Sequence, residues 1–362
     1  MAGVTSVVRT GAISRRHGGI VVVRVPGLGV SSRLDLRAIT VTAILCGLSA
    51  LVFVWSISVG DFSIPFSDVV ATLFGGGSED SEFIVRTLRL PRALTAVLVG
   101  AGFGLSGAIF QRLANNPLAS PDIIGVNAGA ATAAVFVIVI MAGTGLMVTI
   151  GALAGSIVTS LAVYLLAYKK GVTGYRLVLI GIGITAMLSS VTQYLLIKAE
   201  IFQAQAAMVW LTGSLNGRTW DTVRPMVVAM VILGPLTIAL ARHLRMLELG
   251  DDTAKGLGSR VETARSSLLL TGVALAAIGT AAAGPIGFVA LVSPQIARRL
   301  VGVRSLGLVP AGVFGALLLL TSDLIARRIF APTELPVGVV TAVVGAPYLL
   351  YLLARANSIG RG

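Results

Sequence analysis

From residue 38 onward the chain is a succession of apolar runs of about 20 residues separated by short polar connections, a spacing that suits helices crossing a lipid bilayer. The runs lie at 38–58, 93–111, 123–142, 146–167, 177–197, 225–241, 266–284, 286–301, 306–325 and 337–353, so ten transmembrane helices are expected in an all-α polytopic membrane protein. The eighth run is short and holds Pro294, which predicts a tilted or broken helix rather than a plain crossing. Only 12% of the residues are charged, about half of what a soluble domain carries. No sizeable soluble domain is expected.

Basic residues orient such a chain. With the N-terminus inside, most of the 28 Lys and Arg residues fall on the cytoplasmic side, among them Arg37, Arg112, Arg176, Arg242, Arg265 and Arg298. Asp61, Asp68, Glu79, Asp80 and Glu82 then lie in the first external loop, and Trp55, Trp210 and Trp220 near external boundaries. Both termini are therefore expected in the cytoplasm, in a multi-pass protein of the inner or plasma membrane. A net charge of +13 dispersed over loops predicts contact with membrane lipid and no nucleic-acid partner. Residues 1–37 hold six arginines and one acid, and Arg24 interrupts their apolar patch, so they read as a disordered basic cytoplasmic tail rather than a signal peptide. Residues 356–362 form a second short cytoplasmic tail around the 38–355 membrane domain. The single cysteine, Cys46, excludes an intrachain disulfide and is expected to be a small buried packing residue. Gly100, Gly104 and Gly107, and again Gly151 and Gly155, recur at the spacing that lets helix backbones approach closely.

Three stretches are too polar or too oddly punctuated to be mere connections. Arg89, Pro91 and Arg92 stand at the external mouth of the second span, where two guanidiniums one turn apart can grip carboxylates of a docking partner. Two snorkelling anchors at lipid phosphates would leave the same mark. At the other end of that span, residues 111–122 include Asn116-Pro117 and Ser120-Pro121, which disfavour a continuous helix. A rigid knuckle at the inner mouth of a pathway and a plain tight loop both fit them. The long cytoplasmic connection at 244–265 has two short helical patterns separated by Gly250, Gly256 and Gly258. Glu248, Asp251 and Asp252 would be repelled by anionic lipid, so a groove in a cytosolic partner suits this connection better.

RLPR at 89–92, the Ser-Gly-Ala run after it and NPLASPD at 116–122 with Gly125 resemble the FecCD-type permease family of ABC importers for ferric siderophores, haem and cobalamin. Residues 247–258, GPIGFVALVSPQIAR at 284–298, Ser322-Asp323 with Arg327, and ELPVG at 334–338 look like further blocks of that family. The resemblance implies a ten-helix permease that pairs with a second permease, identical or homologous. An extracytoplasmic substrate-binding protein would deliver the ferric siderophore, and two cytosolic ATP-binding subunits would drive its import. By the same resemblance Arg89, Arg92 and Arg327 meet glutamates of the binding protein. Leu247, Gly250, Asp251, Ala254, Leu257 and Gly258 belong to coupling helices, at about 244–262, seated in the ATPase. Asn116, Pro117, Leu118 and Gly174 lie at the inner gate and pathway. The chain departs from the family in its arginine-rich N-terminus, in Gln295 where histidine is frequent, and in Arg328 beside Arg327.

No enzyme chemistry is legible. A GxxxxGK[ST] phosphate loop is absent, so ATP–Mg is expected on the partner ATPase, with no cofactor and no metal site in this chain. His243 is expected to be satisfied or solvent-facing, Asp323 to pair with Arg327 one turn on, and Glu334 to form local hydrogen bonds. An ion-coupled secondary transporter of a small solute is the rival class. It calls for an ion site in mid-membrane, and the expected spans are nearly free of acids, although a sodium site built from backbone would leave no such trace.

Overall fold

A β-branched run such as IVVVRV favours extended backbone, and in the structure it forms the middle strand of a small antiparallel sheet. Strands β1 (Ile13–Arg16), β2 (Ile20–Val25) and β3 (Val30–Asp35) pair in the order β1-β2-β3, with Ile13 opposite Val23 and Ile20 opposite Asp35. Of the tail expected over residues 1–37, residues 1–12, 17–19 and 26–29 lie outside the described residues. The structure, a computed structural model, describes residues 13–16, 20–25, 30–60, 62–76, 82–169, 174–302 and 305–359. Of the acids expected in the first external loop, Asp61, Glu79 and Asp80 lie outside the described residues.

Beyond the sheet all regular structure among the described residues is helical. Asp35 caps α1 (Leu36–Ser58), its carboxylate accepting from the Arg37 amide at 3.0 Å. After α2 (Phe66–Leu73), a wider π-helical turn at Phe83–Arg89 runs into α3 (Leu90–Leu113), and Pro91, which has no N–H to bond back, sits just past the junction. Then come α4 (Val126–Val139), α5 (Leu146–Ala167), α6 (Gly174–Lys198), α7 (Ile201–Leu211) and α8 (Trp220–Leu247). The short α9 (Asp251–Gly256) precedes α10 (Val261–Ala283), α11 (Val289–Val301), α12 (Leu308–Arg328) and α13 (Val337–Ile359).

Among the described residues 7 helices are long and apolar enough to cross a membrane: α1, Phe83–Leu113, α5, α6, α8, α10 and α12. Shorter apolar helices are α4, α7 and Val337–Leu352 of α13. Every expected span has its helix, but some are trimmed. The third begins only at Val126, because Pro121–Ile124 forms a separate 3-10 turn closed by Gly125 in left-handed conformation at φ 75°. Its α-helical part is 14 residues long. The eighth is 13 residues long and begins after Phe288, as the proline-containing short run suggested. Helix α7 was not anticipated, since Gln203 and Gln205 dilute its apolar pattern. Of the two short helical patterns expected in the long connection, the first is α9 and the second is simply the opening turn of α10. At the C-terminus α13 continues through residue 359, so the short tail expected at 356–362 is helical for most of its length.

The bundle is organised around α3. In its most apolar window 78% of the residues are buried, against 72% in α10 and 61% in α12 but only 6% in α1 and 17% in α6 and α8. Small residues make this possible, since a Cβ on Gly104 would overlap the Ala311 carbonyl of α12 and one on Gly107 the Ala290 carbonyl of α11. Gly129 and Gly155 approach in the same way between α4 and α5. Ser106 stitches α3 to α10 by donating to the Gly272 carbonyl at 2.7 Å. Cys46, expected to be buried, instead lies exposed on α1, a helix that buries little within this chain.

Candidate functional site

The arginines picked out by sequence gather at one end of the bundle around a single carboxylate. Asp323, on the last turns of α12, is 0% exposed. Arg92, on the first turn of α3, straddles it with Nε at 3.2 Å and a terminal nitrogen at 3.0 Å, while Arg327 brings its Nε to 3.2 Å. The expected Asp323–Arg327 pair therefore forms, and Arg92 makes it a buried triad. A second nitrogen of Arg92 donates to Glu334 at 2.9 Å, the local bond expected of that acid. Arg327 also donates to the Ser56 hydroxyl at 2.6 Å, tying α12 to α1. Arg89 donates to the carbonyls of Ile57, Ser58 and Phe62 and so holds the turn that follows α1.

The three arginines thus share one site, but none simply projects as a free cation. Arg92 and Arg327 are 12% and 9% exposed along their side chains, and Glu334 is 35% exposed. The Arg92–Glu334 bond is the part of the cluster that an incoming carboxylate can reach. Arg328 next door is exposed, with a long contact of 3.4 Å to the Gly60 carbonyl.

Helix α3 has 24 residues, which carries the chain about 36 Å to the opposite end. There Asn116 folds the knuckle, its side-chain oxygen accepting from the Leu118 amide at 2.9 Å, and Gln295 of α11 donates to the Pro117 carbonyl at 2.6 Å. Gly174 opens α6 beside Ala114, with that residue's Cα 3.7 Å from where a Cβ would sit. A cavity of about 250 Å³ joins these parts, with Ala114, Ser120 and Gly174 on one wall and Asp251 and Arg265 on another. Of the gate residues expected from sequence only Gly174 lines this cavity, and of the elbow at residues 247–258 only Asp251 does.

The elbow is held at both ends. Gly250 and Gly258 take φ 93° and 79°, conformations that side chains with a Cβ rarely adopt, and they bracket α9. Leu247 and Ala254 are buried against the bundle, whereas Leu257 is 59% exposed. Arg265 clasps Asp251 at 2.6 Å. Arg112, at the foot of α3, pairs with Glu248 and donates to the Ser305 carbonyl at 3.0 Å. Sequence reading missed this last link, since nothing local signals a pair separated by 136 positions.

Asp122 lies beside the knuckle, outside the membrane-crossing helices. Desolvation raises its pKa to about 6, opposed by a weak 3.4 Å bond from Ser120. Between the ordinary carboxylate range and pH 6 the folded chain holds a proton that the unfolded chain has released, so stability falls as pH rises through that window. Asp122→Asn is accordingly expected to raise the stability of the purified chain above pH 7 by about 1–2 kcal/mol after allowance for solvent screening. The gain should fade as pH falls from 6 to 4 and be gone below that range. A thermal-unfolding series from pH 4 to 8 showing a pH-independent difference would refute this.

The profile of the FecCD transport family matches residues 48–355. The ferric enterobactin transport system permease protein FepG of Escherichia coli (strain K12) is 43% identical over 322 residues, covering 89% of this chain and 98% of that protein. The iron(3+)-hydroxamate import system permease protein FhuG of Bacillus subtilis (strain 168) is 40% identical over 330 residues, covering 89% and 98%. Among solved structures, an inward-facing conformation of a transporter assigned to the metal-chelate type of ABC transporters aligns with a TM-score of 0.79 at 27% identity, over 87% of this chain and 99% of that one.

Proposed function

The chain belongs to the FecCD transport family, and from that premise we infer that it is the membrane permease of an ABC importer carrying ferric siderophores and related iron chelates across the inner membrane. The near-full-length similarity to permeases named for such cargo carries this reading. The ferric chelate is substrate, and the chain itself is no enzyme.

The finer picture is also our reading. The 7 long helices, with α4, α11 and α13, make ten crossings, both termini cytoplasmic and the Arg92 cluster external. A second permease, identical or homologous, completes the pathway, and two cytosolic subunits hold ATP–Mg. An extracytoplasmic binding protein docks at Arg89, Arg92 and Arg327. Its glutamate exchanges with Glu334 on Arg92, whereas Asp323, buried and doubly held, stays. At the other end Leu247, Gly250, Asp251, Ala254, Leu257 and Gly258 receive the ATPase stroke. The Asp251–Arg265 and Glu248–Arg112 pairs pass it to Asn116, Pro117, Leu118 and Gly174.

Vesicles containing the assembled transporter test both halves of this reading. Uptake of radiolabelled ferric siderophore should require the binding protein outside and hydrolysable ATP inside. Uptake driven by a proton or sodium gradient without ATP would establish the secondary-transport alternative instead. In the same vesicles Arg92→Gln should raise the binding-protein concentration for half-maximal uptake by at least about tenfold, and an unchanged value would remove Arg92 from docking.

A further inference from the structure

Where α8 runs into the elbow and α10 leaves it, a cavity of about 510 Å³ opens between the two helices. Its polar lining consists of Arg242, His243, Ser259, Arg260, Thr263 and Ser267. No acid is among the described residues that line it. The nearby acids are engaged elsewhere, Glu248 with Arg112 and Glu262 with Arg265 at 3.5 Å.

Two polar atoms on this lining are buried without a hydrogen-bond partner: Nδ1 of His243 and the hydroxyl oxygen of Ser259. The sequence expectation of a satisfied or solvent-facing His243 fails only for Nδ1, because the residue is otherwise partly exposed. Of the seven such atoms among the described residues, two thus lie beside this one cavity. The cationic lining specifies the charge of a ligand. Arg242 and Arg260 offer forked donors to an oxyanion. The 23-residue helix α10 adds the partial positive charge of its N-terminus, which begins at Val261.

The surroundings specify what the oxyanion is attached to. Toward the middle of the same two helices Leu236, Ile238 and Leu270 are 41%, 57% and 69% exposed, an apolar strip that begins at the cavity. A free phosphate would fill the polar recess and leave that strip bare, whereas a lipid headgroup anchored in the recess lays its acyl chains along it. We propose that this recess binds the phosphate of an anionic phospholipid at the elbow end of the bundle. Leu257 and Gly258 of the elbow line the same cavity, so the lipid props the segment that receives the ATPase. The inference rests on a bilayer placement of the chain and not on its cargo.

The test is lipid retention by the purified full chain, measured by native mass spectrometry after incubation with equimolar phosphatidylglycerol and phosphatidylcholine. With two arginines at the headgroup, the wild type should retain phosphatidylglycerol with a preference on the order of tenfold. Arg242→Gln combined with Arg260→Gln should bring the two lipids to parity. Equal retention by the wild type overturns the proposal, whatever the variants do, and so does a preference that survives the double substitution. Stabilisation by inorganic phosphate through the same arginines, without retention of phosphatidylglycerol, would identify a free anion as occupant and overturn the lipid assignment. Because retention is read without transport, its failure is distinguishable from a failure of the import reading.

Discussion

Asp323→Asn is expected to lower the stability of the folded chain by about 3–5 kcal/mol, the cost of leaving buried charges without their counter-ion. Asparagine keeps the volume and most of the hydrogen-bonding geometry but removes the charge that Arg92 and Arg327 share. Both guanidiniums have little contact with solvent, at 12% and 9% exposure, so water cannot replace the carboxylate. Glu334 bonds only Arg92 and acts on Arg327 merely through space, from a site that is already partly wet. Unfolding of the purified chain by denaturant in mixed micelles should show the loss. The combination Arg92→Met, Asp323→Leu, Arg327→Met should recover much of it, since an apolar cluster of similar volume needs no counter-ion. If the single variant unfolds with the wild type, the triad is not the clamp between α3 and α12 described above.

Leu257→Asp is expected to release the ATPase while leaving the permease folded. The elbow has two kinds of apolar residue. Leu247 and Ala254, at 7% and 0% exposure, fasten it to the bundle, while Leu249 and Leu257, each 59% exposed, project from an otherwise polar segment. An apolar side chain there gains little from water and much from a groove. A central anchor of this sort contributes about 2 kcal/mol or more to an interface, so its replacement by a carboxylate should weaken ATPase retention roughly 30-fold. Co-purification of the ATPase with the variant, and its stimulation by the binding protein, give the readout. Retention at the wild-type ratio would take the elbow out of the coupling interface.

Much of this architecture was legible because lipid leaves a chain few choices. An apolar run in a bilayer must be a helix, so α1, α5 and α6 fall close to the expected limits. Glycine spacing likewise foretold that α3 would be approached closely, although not by which partners. Legibility failed where the deciding contact is remote or the composition mixed. Helix α7 hid behind its glutamines. At the Arg92 end of the bundle the residue types were readable, but 231 positions separate Arg92 from Asp323, and no local pattern reveals that the cation is already held. The same holds for Gln295 and Pro117, whose bond closes the knuckle across 178 positions.

The exposed thiol of Cys46 turns a packing detail into a ruler. The chain has 1 cysteine, placed near the middle of α1 and open to its surroundings. A spin label there reports one position per chain without any engineered change. In an assembly built on two copies the labels give a single symmetric distance; beside a different permease of known cysteine content they give none from this chain. The stoichiometry of the translocation pathway can thus be read from a native side chain that lies apart from the Arg92 cluster, the knuckle and the elbow.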